Sequence, residues 1–160
     1  MDSKTLIDAL GLFKHPEGGY YKETYRAADT LNNLNGEARN VSTAIYYLLE
    51  GNDRSHFHRI ANDEMWFFHS GTALNIHCIL DGQLKTIRLG ADVFNGEVLQ
   101  TVIPAYTWFA AQIVDLNSFS LLSCVVAPGF DFKDFELANR SQLISEFPNL
   151  ESIITDFTRS

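Results

Sequence analysis

The sequence predicts a fold dominated by β-strands, an antiparallel sandwich or barrel with short helices at both ends. Two observations carry this prediction. From Val41 onward, runs rich in Val, Ile, Leu, Phe and Thr follow one another at 41–50, 63–70, 73–80, 84–89, 98–103, 107–115 and 119–127. Turn signals stand between them, at Gly51-Asn52-Asp53, Ser70-Gly71, Asp81-Gly82 and Asn95-Gly96. No helical periodicity intervenes, which disfavours the parallel sheet of an alternating α/β chain.

At 160 residues, 46% hydrophobic and 20% charged, the chain has the size and composition of one domain, spanning 1–160, with a substantial core. A formal charge of −8 and a pI near 4.9 argue against nucleic acid or an anionic membrane as partner, since both reward clusters of Lys and Arg. A neutral or modestly polar small molecule suits this balance better. The start of the chain, Met1 to Leu10, is too polar for a signal peptide, and no apolar run approaches the roughly 20 residues of a membrane span, so a soluble, cytoplasmic protein is expected. Cys78 and Cys124 each sit inside an apolar strand-like run, as buried reduced thiols do.

Taken in order, residues 3–10 form a short amphipathic helix, with Ser3 as N-cap, Leu6, Ile7 and Leu10 on one face and Gly11 to end it; this helix covers a sheet face. His15-Pro16-Glu17-Gly18-Gly19 breaks the helix, and a strand resumes at 21–27, opening a barrel region at about 21–137. The Asn-rich stretch 29–40 reads as a mobile loop. Residues 130–137 alternate aromatic and charged side chains, as an edge strand or extended strap does, with Asp131, Asp134 and Glu136 on its wet face. A helix follows from Asn139 to Phe147, stopped by Pro148, and a second from Asn149 uses Leu150, Ile153, Ile154 and Phe157, so terminal helices occupy about 139–157.

The chemistry concentrates between Gly51 and Gly71, in a predicted hairpin holding His56, His58, Glu64 and His69. On a regular strand His56 and His58 share a face, and two imidazoles so placed, with the Glu64 carboxylate from the neighbouring strand, form a candidate site for a divalent metal. Alternation turns Glu64, Trp66 and Phe68 inward and Met65, Phe67 and His69 outward. His58 and Glu64 are also the candidate proton-transfer groups, with Tyr106 as a third catalytic candidate. Glu17, Tyr46, His56, Arg59, Trp66, Phe68 and Trp108 are the candidate ligand contacts. Glu17, in its glycine-rich turn, either caps a pocket mouth or satisfies the amides that Gly18 and Gly19 expose.

The frame of Gly51, His56-Phe57-His58, Glu64 and Gly71 resembles the first motif of the cupin superfamily. It is one residue short of the family spacing before His56 and at least one residue long between His58 and Glu64. The nearest match to the second cupin motif is Pro104-Ala105-Tyr106-Thr107-Trp108-Phe109, where Tyr106 replaces a Gly and Phe109 replaces the His that serves as fourth metal ligand. A closer resemblance runs along nearly the whole chain. It is carried by His15-Pro16-Glu17-Gly18-Gly19-Tyr20, Glu23-Thr24-Tyr25-Arg26, His58-Arg59 with Asp63-Glu64-Met65-Trp66, Trp108-Phe109-Ala110-Ala111, and Ala127 to Leu137. These segments resemble the cupin subfamily catalogued as domain of unknown function 985.

That resemblance implies a cupin jelly-roll barrel, RmlC-like, with an internal pocket and commonly a homodimer; it brings no settled activity. The leading expectation is a small polar or carbohydrate-like ligand in an aromatic-lined barrel. Similarity in fold to sugar-nucleotide epimerases supplies an alternative, with His58 as base and Tyr106, Tyr46 or Tyr47 as acid, although Arg54 and Arg59 are the obvious arginines near the site for a diphosphate. A metal-dependent cupin enzyme using His56, His58 and Glu64, and a non-catalytic interaction domain with a vestigial pocket, complete the set.

Overall fold

The computed structural model describes residues 2–159. In chain order its elements are α1 (Ser3–Leu10), β1 (Phe13–Lys14), β2 (Tyr20–Arg26), β3 (Thr30–Asn32), β4 (Ala38–Asn40), β5 (Thr43–Glu50), β6 (Arg54–Ile60), β7 (Asp63–Gly71), β8 (Leu74–Leu80), β9 (Gln83–Leu89), β10 (Gln100–Ile103), β11 (Trp108–Ile113), β12 (Phe119–Ala127), β13 (Phe135–Leu137), α2 (Arg140–Glu146) and α3 (Glu151–Asp156). The strands build a six-stranded sheet in the order β1-β2-β5-β12-β7-β10, and a five-stranded sheet in the order β13-β6-β11-β8-β9. Every ladder between these strands is antiparallel. No helix among the described residues is long and apolar enough to cross a membrane.

The period of two along each strand decides where side chains go. Tyr47 and Trp66 from the larger sheet meet Ile76, Cys78 and Phe109 from the smaller one in the central core. On β11 the alternate residues Trp108 and Ala110 point the other way, and α2 and α3 cover them with Leu143, Ile154 and Phe157. The larger sheet's outer face is covered in turn by α1, whose Leu6, Ile7 and Leu10 pack with Leu12, Leu48 and Leu121. Burial on both faces explains why β11 and β12 read as continuous apolar runs in the sequence.

Three local details depart from the sequence-based expectations. The N-cap of α1 is Asp2, whose carboxylate accepts from Thr5 N at 2.8 Å, one residue earlier than Ser3. Residues 29–40 are an ordered hairpin of β3 and β4, since Asn33 Oδ1 accepts from Asn35 N and Glu37 N and closes the turn. Asp134 leaves the wet face of its segment and takes a two-pronged pair from Arg39, at 2.7 and 2.8 Å, which ties the hairpin to the aromatic strap 130–137. That strap is a 3-10 turn at Phe132–Asp134 followed by β13, which pairs with β6 along the sheet edge.

The hairpin that holds the chemistry ends at Gly71, which has φ 98°, and a Cβ there would lie 2.0 Å from the Phe119 carbonyl oxygen. Gly71→Ala is therefore expected to lower stability by about 3 kcal/mol through strain and backbone clash. Urea denaturation should show a lower midpoint at unchanged slope.

Candidate functional site

β6 does not run as a regular strand. Phe109 pairs with His58 and Ala111 with Ser55, so one more residue lies between the two pairs on β6 than on β11. This bulge resets the alternation. Ser55 and His58 both turn to the Glu17 carboxylate, while Phe57 goes to the opposite side under α3 and packs against Phe157. His56, which a regular strand would put beside His58, instead directs Nδ1 to the Glu17 carbonyl oxygen at 2.7 Å and lines a different cleft.

Glu17 reaches this position because the loop from His15 to Gly19 folds tightly against the first residues of β6, beyond its ladder with β13. His15 N donates to Gly19 O, Gly18 N to His15 O, and His56 N to Glu17 O. Gly18 has φ 118°, and a Cβ there would lie 1.9 Å from the Arg54 carbonyl oxygen, so the loop can approach β6 only with glycine at this place. The buried Tyr47 hydroxyl donates to Gly18 O at 2.7 Å and pins the turn from the core side.

The result is a buried cluster of ionisable groups. Glu17 Oε2 lies 2.9 Å from His58 Nε2 and 3.7 Å from His15 Nδ1, and Glu17 Oε1 accepts from Ser55 Oγ at 3.0 Å. His58 is 2% exposed and Glu17 6%. His58 Nδ1 lies 2.7 Å from the His56 carbonyl oxygen, which can only accept. Both ring nitrogens therefore face acceptors, and the ring carries a proton on each. Burial alone would raise the Glu17 carboxyl, but the His58 charge, then that of His15, outweighs it and pulls Glu17 down to about 2. For His58, burial opposes the charge and the Glu17 carboxylate overcomes it, raising the imidazole above its ordinary value. His15 goes the other way, lowered by burial, and its Nδ1 accepts from Glu17 N at 3.1 Å.

Glu64, 8% exposed on β7, is the second carboxyl of the cluster. Burial first, and the Glu17 charge second, raise it to about 7. Two carboxyls in one site thus hold different protonation states near neutrality. Glu17 is a fixed anion paired with an imidazolium, and Glu64 is divided between its acid and its base forms.

Glu17, His58 and Glu64 line a cavity of ≈ 370 Å³ with His15 and Cys124. Burial, followed by the Glu64 charge, holds the Cys124 thiol well above its ordinary value. Phe13, Tyr21, Phe130, Phe132 and Phe135 supply the aromatic lining of the cavity, with Tyr21 against His15 and Phe135 against His58, and Arg26 and Glu23 also line it. Arg26 is engaged by Glu23 at 2.7 and 2.9 Å.

Of the residues singled out in the sequence, Glu17, His58 and Glu64 come together here. The others lie elsewhere. Tyr106 sits at the turn before β11, 57% exposed, and takes φ 61° where the cupin motif has glycine. Tyr46 packs on the outer face of β5 near His69, and Arg59 lies over the Trp108 ring and pairs with Glu136. Trp66 and Phe68 do face inward, but into the core around Tyr47 and Phe109; Trp108 belongs to the cluster under the terminal helices. His15, Tyr21 and Cys124 line the cavity without having been singled out for it. The segment His15 to Tyr20 marked the family, but its contact with β6 depends on long-range folding.

These placements bear on a metal. His56 and His58 do not converge, both His58 nitrogens are occupied by acceptors, and Phe109, at the position of the usual fourth ligand, lays its ring 4.1 Å from that of His58. Among the described residues no group of three His, Cys, Asp or Glu side chains is arranged to hold a metal ion. The donor set does not fit a divalent cation.

A double-sheet barrel with a polar cluster inside it is the architecture of a cupin, and the comparisons with known proteins agree. Oxalate decarboxylase from Bacillus subtilis superposes with a TM-score of 0.56 at 12% identity, covering 90% of this chain and 36% of that one, which shows the shared fold. A hypothetical protein from Leishmania major superposes with a TM-score of 0.94 at 34% identity over 100% of both chains. An uncharacterized protein of Saccharomyces cerevisiae is 37% identical over 143 residues, 81% of this chain and 71% of its own length. The family model described as Cupin superfamily (DUF985) matches residues 4–138. The chain belongs to this DUF985 family of cupins.

Two outcomes follow from the cluster. Glu17→Ala would strand His58 among buried groups and should destabilise the protein by about 3–5 kcal/mol at pH 7, measured by urea denaturation. Glu64 works with the opposite sign. Its native value lies above its ordinary 4.5, so the folded state holds a proton the unfolded state has released, and this group lowers stability as pH rises from about 4.5 to about 7. Relative to Glu64→Gln, the parent protein should therefore lose about 3 kcal/mol between pH 4.5 and pH 8. Parallel denaturation curves of the two proteins across that range check it.

Proposed function

We propose that the protein binds a small, uncharged, polar molecule of carbohydrate-like character in the barrel cavity, and that Glu64 exchanges a proton with it. The observation that carries this reading is the composition of the cavity wall. It combines aromatic rings, suited to the apolar faces of a sugar ring, with Glu64 beside an ion pair that is already compensated internally. Arg26 is paired with Glu23, so no free cation lines the cavity among the described residues, and an anionic ligand would face Asp131 and the ionisable Glu64 without one. The size, ≈ 370 Å³, lies in the range of small-molecule sites, about 300–1,000 Å³.

A carboxyl held near 7 is suited to either direction of proton transfer at neutral pH. The epimerase alternative has less support. His58 as base would need a ring nitrogen free of acceptors, Tyr47 is committed to Gly18 O, and Tyr106 and Tyr46 lie outside the cavity. A phosphate-bearing sugar nucleotide would also find no unpaired cation inside among the described residues.

Calorimetric titration with a panel of neutral aldoses, ketoses and polyols, beside their phosphorylated counterparts, tests the reading. Saturable binding of a neutral member, weakened about tenfold by Glu64→Gln and accompanied by proton uptake or release that differs between buffers, is expected. If no neutral member binds, or if binding is indifferent to Glu64→Gln, the interaction-domain reading with a vestigial pocket takes its place.

A further inference from the structure

The His15–Gly19 loop borders a second cavity. A polar cleft of ≈ 420 Å³ shares only His15 with the lining of the barrel cavity and is otherwise bounded by Gly18, Gly19 and a group of polar side chains. Its charges run against those of the molecule. The chain carries −8 overall, yet Lys14, Arg54 and Arg159 meet here against a single carboxylate, Asp53.

The two guanidiniums are held in place without being neutralised. Arg54 Nη1 donates to Asp156 O at 3.2 Å and Arg159 Nη2 to Pro16 O at 2.6 Å, both backbone carbonyls. Among the described residues neither guanidinium has a carboxylate within ion-pair distance. Arg54 Nε is buried and has no hydrogen-bond partner. Lys14 Nζ lies 3.8 Å over the Tyr20 ring and 3.6 Å from Asp53, a separation longer than a direct hydrogen bond. Asn52 adds an amide donor. His56 has its Nδ1 committed to Glu17 O, which leaves Nε2 as the ring atom a ligand can meet.

We propose that this cleft is a binding site for a small oxyanion, a phosphate or a phosphate group on a small molecule, held by Arg54, Arg159 and Lys14. Arg54 and Arg159 are each anchored through one backbone carbonyl and keep further guanidinium donors, the kind of group that suits a tetrahedral oxyanion. Asp53 restricts the site, because it already shares Lys14 and repels a highly charged ligand. The site accounts for His56, half of the His-x-His motif, which the barrel cavity does not use. It is independent of the ligand proposed for that cavity, which is uncharged.

The test is a titration of the 15N-labelled full chain with inorganic phosphate at low ionic strength, in parallel with methyl phosphate. Saturable amide shifts centred on Gly18, Gly19, Asn52 and Arg54 are expected, with affinity reduced about tenfold in Arg54→Gln and reduced again by added salt. Lys14→Gln provides a second variant on a largely exposed side chain, in case Arg54→Gln perturbs the fold, and should weaken binding in the same direction. Glu64→Gln, outside the cleft, should leave phosphate affinity unchanged. Tighter binding of methyl phosphate identifies a phosphorylated small molecule as the source of the oxyanion, and equal or weaker binding identifies the free anion. Shifts that do not saturate, that centre elsewhere, or that persist undiminished in both Arg54→Gln and Lys14→Gln overturn the proposal.

Discussion

The contact between Glu17 and His58 is the interaction on which the rest of the site depends. A carboxylate and an imidazolium at 2.9 Å, both almost fully buried, are tolerated only if every remaining acceptor and donor is met. Ser55 Oγ meets the second carboxylate oxygen, the His56 carbonyl meets the second imidazole nitrogen, and Phe109 closes one face of the ring. The pair also fastens two distant parts of the chain, the loop before β2 and the bulged strand β6. The Gly18 backbone that brings them together has no room for a side chain.

Glu64 owes its character to this pair. Its carboxyl is buried on β7 within reach of the Glu17 field, and a second full negative charge there is unfavourable. The His58 charge moderates that effect but is largely spent on Glu17. One carboxyl is thus a permanent anion and the other a proton carrier, although both lie in the same apolar barrel. The aromatic strap, held down by the Arg39–Asp134 pair and by its ladder to β6, adds Phe130, Phe132 and Phe135 to the lining. Both sheets contribute to each kind of lining, Glu64 with Phe13 and Tyr21 from the larger sheet and His58 with Phe135 from the smaller, so charge chemistry and apolar contact meet only in the folded cavity.

Much of the fold was legible in the sequence. The apolar runs and their turns marked β5 and the strands from β7 to β12, α2 fell where the Asn139 cap and Pro148 indicated, and the inward set Glu64, Trp66 and Phe68 followed from alternation. The hairpin at 29–40 was less so, because its order comes from side-chain bonds of Asn33 and from Arg39 reaching Asp134, a partner 95 residues away. His56 illustrates a different limit. Its spacing from His58 is that of a shared strand face, and only the extra residue on β6 opposite β11 reverses that relation.

By itself, the sequence determined the all-β architecture, the cupin family and the presence of His58 and Glu64 on the wall of the barrel. Local patterns of hydrophobicity and turn chemistry are sufficient for the architecture and for each strand's inward face, while the family follows from residue segments such as His15 to Tyr20 and Ala127 to Leu137. Tertiary structure alone decided that Glu17 would pair with His58, that His56 would turn to another cleft, and that Glu64 would hold its proton near neutrality. Those outcomes arise from a strand bulge, a loop approach and a shared electrostatic field, each set by residues far apart in the chain.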